Sequence, residues 1–231
     1  ESTGDVINCT TEDLKNDALS GIQLLRKRFD KVGIIGHSEG GTIALMLAAE
    51  KKADFIVSLA GMAVSGRETL IWQNRISLAA SGIPSATVDS YCKALGEVFD
   101  ASTAGTPIPP ASQYNLPAAL AQNLTAVTMQ LQLPYLKYFL TLDSRPLLGS
   151  ISCPVLALNG TKDMQVEYES NLDALRRGLP KNAKNKLEAI EGVNHLFQHC
   201  QTGMTSEYRD IEETIDPKVL EKMQQWISDF K

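Results

Sequence analysis

No long apolar run occurs anywhere in the sequence. Its 231 residues are 43% hydrophobic, yet no stretch approaches the ~20 residues that a membrane span needs. Basic runs are missing as well. With a formal net charge of −5, nucleic acid and anionic membrane surfaces are poor partners. There are only four cysteines, Cys9, Cys92, Cys153 and Cys200, and no Cys-x-x-Cys. They read as buried free thiols, and the compartment is not legible from them. Repeats and low-complexity stretches are absent. So is a charged and apolar leader at the start, although that carries little weight in a chain expected to open in mid-pattern. Histidine is scarce too. His195 and His199, with Cys200, have helical spacing for a metal, but no H-E-x-x-H accompanies them. No metal or cofactor is expected.

What is present is organised around residues 31–49, KVGIIGHSEGGTIALMLAA. Val32, Ile34 and Ile35 form a short β-branched run that predicts a buried strand. Ile43, Ala44, Leu47 and Ala48 then recur at helical spacing. Between them lies Gly36-His37-Ser38-Glu39-Gly40, a G-x-S-x-G pentapeptide in the strand–turn–helix context that gives it meaning. A serine on so tight a turn leaves no room for side chains two residues before and after it, at Gly36 and Gly40. The turn lifts the Ser38 hydroxyl above the sheet. The helix aims its first N–H groups, Glu39 N–H among them, where negative charge can be stabilised. The plain alternative is a glycine-rich turn with an incidental serine.

Ahead of this stretch, Leu14, Ala18, Ile22, Leu25 and Phe29 mark one face of a helix beginning near Thr11 and ending near Asp30. Behind it, residues 54–60 (DFIVSLA) predict a second buried strand, and strand–helix–strand implies a parallel sheet. From 63 to about 148 strand patterns vanish and helix-like pieces follow one another, broken at Pro107-Ile108-Pro109-Pro110. An insertion of this size between two parallel strands is most economically a cap, with helices packed on the core as the alternative. The expected division is therefore a core of 1–62 and 149–231 with a helical cap of 63–148. Residues 154–158 (PVLAL) and 185–190 (NKLEAI) are the third and fourth strands, the fourth nearer an edge. The last helix opens with Asp216 and Pro217. Val219, Leu220, Met223, Trp226, Ile227 and Phe230 line one face of it.

A serine nucleophile needs a base, and the base needs an orienting anion. Asp163 falls in the loop after the third strand and His195 in the loop after the fourth, at the same sheet edge as Ser38. Taken singly, Asp163 could begin a helix and His195 could bond to backbone. Taken together, Ser, Asp and His stand in α/β-hydrolase order. Asp143 is a rival for the acid, though its LDSRP setting looks more like a turn. His37 faces away from Ser38 if the turn is an elbow.

The chain resembles the α/β-hydrolase superfamily, and more narrowly bacterial carboxylesterases of the dienelactone-hydrolase-like group with an inserted helical cap. The matching pieces are GHSEGG at 36–41, SLAGMAVSGRETL at 58–70 and LPYLKYFLTLDSRPLL at 133–148. CPVLALNGTKD at 153–163 and GVNHLFQHCQTG at 192–203 complete them. The resemblance implies a serine ester hydrolase with Ser38 as nucleophile, Asp163 as acid and His195 as base, working on a small-molecule ester through an acyl-enzyme. Small apolar acyl groups are expected from the apolar stretches of the insertion, with Met62, Met129 and Tyr135 as substrate contacts. A peptidase, an acyltransferase or a non-catalytic binding module are the rivals. Such hydrolases usually carry about four strands before the nucleophile strand, and here one loop and one helix precede it. The expected fold is thus a partial α/β-hydrolase. Its Val32–Ile35 edge would be left open to a second copy, giving a homodimer, or to an N-terminal segment as a separate chain.

Overall fold

The structure is a computed structural model that describes Gly4 and residues 7–230. It divides into two compact units, one of Glu1–Leu14 with Ser65–Leu142 and one of Lys15–Val64 with Asp143–Lys231.

The second unit holds the sheet. β1 (Gly33–His37), β2 (Phe55–Leu59), β3 (Val155–Gly160) and β4 (Lys186–Ile190) lie side by side in chain order, all parallel. Successive side chains of a strand point to opposite faces, and the apolar residues sort accordingly. Ile56, Val155 and Ala157 join Ala44, Leu45 and Ala48 of α2 (Glu39–Ala49), Leu148 of α7 (Arg145–Leu148) and Leu172 and Leu175 of α8 (Tyr168–Gly178). Val57, Leu59, Leu156 and Leu158 face the other way, against Phe197 and against Val219 and Trp226 of α9 (Pro217–Ser228). β2 and β3 are therefore apolar on both faces, as strands covered on both sides must be. Asp216 caps α9 by accepting the Lys218 N–H at 2.9 Å, with Pro217 in the first turn.

β1 is an edge. Val32 O accepts from Asp54 N, and Ser38 N donates to Leu59 O. In a parallel pair alternate residues bond to the neighbour, so Gly33, Ile35 and His37 turn their main-chain groups to the open side. Within the expected open edge of Val32–Ile35, the first residue is an exception. Val32 is held at both its carbonyl and its N–H, the latter by Asp54 Oδ2 at 2.6 Å.

Two further corrections concern helices. α1 (Thr11–Leu25) stops short of Asp30, where the Arg26 guanidinium turns back onto the Asp30 carbonyl at 2.7 Å. Of its expected stripe only Ile22 is buried, in a cluster with Val32, Ile43 and Leu47, whereas Leu14, Leu25 and Phe29 are exposed. In α9, Leu220 is likewise exposed. The cysteines are free, but only Cys92 is buried.

The helical unit has its own core. Leu95, Val98 and Phe99 of α4 (Ser85–Ala104) pack with Leu120 and Leu124 of α5 (Ala118–Gln130) and Leu140 of α6 (Pro134–Thr141). α3 (Gly66–Ala80) begins with a capping box between Ser65 and Glu68, and Arg67 grips Asp100 of α4 with two bonds of 2.6 and 2.8 Å. The insertion is shorter than 63–148 at both ends. Asn171 Oδ1 accepts from Ala63 N and Val64 N, and Ser144 Oγ donates to Met62 O. These bonds tie both flanks into the sheet unit.

Candidate active site

Ser38 sits between the last residue of β1 and the first of α2 with φ 55° and ψ −123°. A positive φ is strained for a residue with a Cβ. The strain is held in place by Ser38 N donating to Leu59 O at 2.8 Å and by Ser38 O accepting from Gly41 N and Thr42 N. A Cβ on Gly36 would lie 2.0 Å from the Gly40 carbonyl oxygen, so the turn closes only over a glycine. The second sterically required glycine is Gly41 rather than Gly40. A Cβ on Gly41 would meet Gly61 Cα at 2.8 Å, whereas one on Gly40 has nothing within 4 Å. Ser38 makes no side-chain cap bond to α2. Glu39, the first residue of α2, has its N–H at the positive end of the helix.

Asp163 lies in the loop after β3 and is buried. Its Oδ1 accepts from Gln165 N at 2.7 Å and Val166 N at 2.9 Å, and its Oδ2 lies 2.8 Å from His195 Nδ1. The next helix starts only at Tyr168, so the carboxylate is not a helix cap. An ionised carboxylate only accepts hydrogen bonds. The Nδ1 proton therefore belongs to His195 in this pair, and the neutral ring is left with its lone pair on Nε2, the form a general base requires. Asp143, the rival acid, is engaged elsewhere. Both of its oxygens contact Arg145, the closest contact at 2.6 Å, and that guanidinium holds its carboxyl below the usual range against the opposing effect of burial.

The loop bearing His195 is stiffened by residues that the sequence reading missed. Asn194 Oδ1 accepts from Leu196 N and Gln198 N, and its Nδ2 donates to Gln198 Oε1. Lys162 Nζ donates to the carbonyls of Cys200 and Gln201. Tyr208 Oη accepts from Gln165 Nε2 at 3.2 Å, and burial raises the phenol's pKa. On the other flank, His37 Nε2 lies 2.8 Å from His195 O, with the two rings 4.7 Å apart. An asparagine next to the histidine and a lysine next to the aspartate were the available signals. Nothing local signals the His37 contact.

Among the described residues no hydrogen bond joins Ser38 Oγ to His195 Nε2. Resting catalytic contacts are commonly long and tighten when substrate binds.

Met62 is buried behind β2. Its carbonyl accepts from Thr42 Oγ1 and Ser144 Oγ. Met129 and Tyr135 belong to the helical unit and are 68% and 38% exposed. Within the sheet unit a mostly apolar cavity of about 500 Å³ opens beside His37, Leu59, Phe197 and Ile215. None of its lining was singled out from the sequence for substrate. His199 turns away from His195. Its nitrogens lie 3.1 Å from Glu213 and 3.7 Å from Asp216, and this is the one trio of metal-capable side chains among the described residues. His195 and Cys200 are not part of it.

The strained serine at the strand-to-helix turn and the buried Asp–His pair thus stand at the same edge of the sheet. The model of the alpha/beta hydrolase fold matches residues 7–199, and the chain belongs to that family. No curated protein matches it by sequence. Among solved structures it is similar to BpoC of Mycobacterium tuberculosis H37Rv, with 17% identity and a TM-score of 0.52 over 96% of this chain and 75% of that one. It is also similar to a carboxylesterase of the thaumarchaeon Nitrososphaera gargenis, with 18% identity and a TM-score of 0.51 over 99% and 76%. A further likeness is to Rv0554 of Mycobacterium tuberculosis, with 17% identity and a TM-score of 0.51 over 96% and 73%. Of a hydrolase from Pseudomonas aeruginosa PA01 it spans only 63%. The chain thus covers roughly two thirds to three quarters of the length of these structures. At such identities the likeness speaks to the fold.

Proposed function

We propose that the chain carries the chemistry of a serine carboxylic-ester hydrolase of the dienelactone-hydrolase-like group, acting on small, mainly apolar acyl esters. The observation that carries this reading is the buried Asp163–His195 pair, whose 2.8 Å contact leaves Nε2 as a base, at the edge where Ser38 is held at positive φ. Ser38 Oγ attacks the acyl carbon as His195 Nε2 takes its proton. The resulting imidazolium, steadied by Asp163, returns the proton to the departing alcohol. Water then attacks the acyl-Ser38 ester, its proton passing to His195 and back to Ser38 as the acid leaves. Glu39 N–H supports the oxyanion in both steps. The choice of small apolar acyl groups rests on the apolar composition of the stretches 60–64, 129–133 and 135–140.

The test is labelling with a fluorophosphonate probe, followed by hydrolysis of p-nitrophenyl acetate, butyrate and decanoate. Wild type should label at Ser38 and Ser38→Ala should not, with the short esters turned over faster. A folded wild type that stays unlabelled defeats the enzyme reading and leaves a binding module. Faster acyl transfer to an amine acceptor than to water would favour an acyltransferase.

A further inference from the structure

His37 occupies the position just before the nucleophile, on an edge strand whose main chain is open at that residue. The residue is exposed, and its ring is engaged on one side. It crosses to the loop after β4, where Nε2 lies 2.8 Å from the His195 carbonyl oxygen, and it packs 4.7 Å from the His195 ring and edge-on to Phe197. A carbonyl has no proton to give, so Nε2 of His37 must carry one. We propose that His37 is a positioning residue: its Nε2–H binds the turn bearing Ser38 to the loop bearing His195, and its neutral ring leaves His195 free to take up charge during the reaction. The inference rests on the serine hydrolase reading above.

Two physical arguments support it. The first is geometric. Ser38 and His195 stand on segments far apart in sequence, and no hydrogen bond between their side chains sets their spacing. The His37 bond runs from the residue adjoining Ser38 to the main chain of His195 itself, so it constrains both partners at their own backbone. The second is electrostatic. When His195 becomes an imidazolium, a charged neighbour at that ring distance would oppose it, whereas a neutral one does not. Loss of water on the packed side pushes the His37 pKa down. The bond to the His195 carbonyl and the Asp163 charge push it up, and the His195 charge again pushes it down. Glu212 and Glu213 line the same cavity as His37. Of these, Glu213 is engaged with His199.

The test compares wild type, His37→Phe, His37→Gln and His37→Arg by the rate of fluorophosphonate labelling from pH 5 to 9, with melting temperature alongside. Phe keeps the ring and loses the donor, and displacement of about an ångström at a reacting group is worth ~100-fold. His37→Phe is therefore expected to label about 10- to 100-fold more slowly while melting within a few degrees of wild type. Gln restores a donor and should recover most of the rate. Arg keeps a donor but carries fixed charge, so the acid limb of its profile should move to lower pH. Equal rates for wild type and His37→Phe overturn the proposal, as does a Gln variant as slow as Phe. A wild type that does not label defeats the hydrolase reading instead. In that case ¹⁵N NMR of the imidazoles decides the contact alone: an Nε2–H His37 at pH 7.5 upholds it, and an Nδ1–H ring overturns it.

Discussion

Replacing Gly36, Gly40 and Gly41 by alanine, one at a time, separates what the pentapeptide needs from what it merely contains. A methyl on Gly36 would stand 2.0 Å from the carbonyl oxygen and 2.3 Å from the carbonyl carbon of Gly40. Both atoms are backbone in the first turn of α2 and cannot rotate aside. Relief needs about an ångström of movement by a helix whose residues 41–48 are all buried. Overpacking of this kind costs about 1–3 kcal/mol, and the rigid neighbours place Gly36→Ala at the top of that range. For Gly41→Ala the clashes are 2.8 Å with Gly61 Cα and 2.9 Å with Ser58 Oγ, so a few tenths of an ångström suffice and about 1–2 kcal/mol is expected. Gly40→Ala meets nothing within 4 Å and replaces a poor helix former, a gain of up to about 1 kcal/mol. In a chain of this size 1 kcal/mol moves the melting temperature by about 2–4 °C. Followed by the fluorescence of buried Trp226, Gly36→Ala should therefore melt about 6–12 °C below wild type. Gly40→Ala should melt at or about 1–3 °C above it. Equal losses at Gly36 and Gly40 would refute the reasoning, and so would a Gly36→Ala chain melting within a degree of wild type.

Other outcomes follow from the same geometry. Asp163→Asn keeps an acceptor for Gln165 N and Val166 N but presents an amide to His195 Nδ1, which forces the proton to Nε2. Ester hydrolysis should fall about 10⁴-fold, while Asp143→Asn, which only loosens an exposed pair with Arg145, should stay within twofold of wild type; the reverse order would hand the acid role to Asp143. Asn171→Ala strips buried Ala63 N and half-buried Val64 N of their acceptor. At about 1–3 kcal/mol per orphaned group, urea denaturation should show a loss of about 2–4 kcal/mol, and a loss under about 0.5 kcal/mol would contradict it. Because His37 has a depressed pKa when folded, the unfolded chain takes its proton first as pH falls below about 6.5. Stability should therefore drop between pH 7 and 5 and do so less steeply in His37→Gln, and parallel curves for the two proteins would count against this.

The parts of this molecule encoded by short-range pattern were readable from sequence. Strand periodicity put Ser38, Asp163 and His195 after β1, β3 and β4, which is enough to place them at one sheet edge, and the cap of α9 is spelled out in Asp216-Pro217. What failed depends on what lies across space. The stripe of α1 shows that Leu14, Leu25 and Phe29 share a face, but periodicity does not reveal whether anything covers them. The pentapeptide names Gly40, whereas the close approach of α2 to Gly61 falls on Gly41. The direction of the His37 ring is settled by a carbonyl 158 residues away, and no local rule carries that information. The ends of the insertion moved because Asn171 and Ser144, both distant in sequence, hold its flanks.

One bond at the root of the insertion has a wider consequence. Gly66 N donates to Leu142 O at 2.9 Å, so the inserted chain comes back to the point from which it left. The strands on either side of it, β2 and β3, pair directly with each other. To the sheet, everything between these two points is one surface loop, and loop-closure entropy rises only slowly with length. Lineages can therefore lengthen, shorten or exchange the insert by recombination at two neighbouring positions without disturbing strand register. The sheet can stay constant while the insert diversifies, each changing at its own pace.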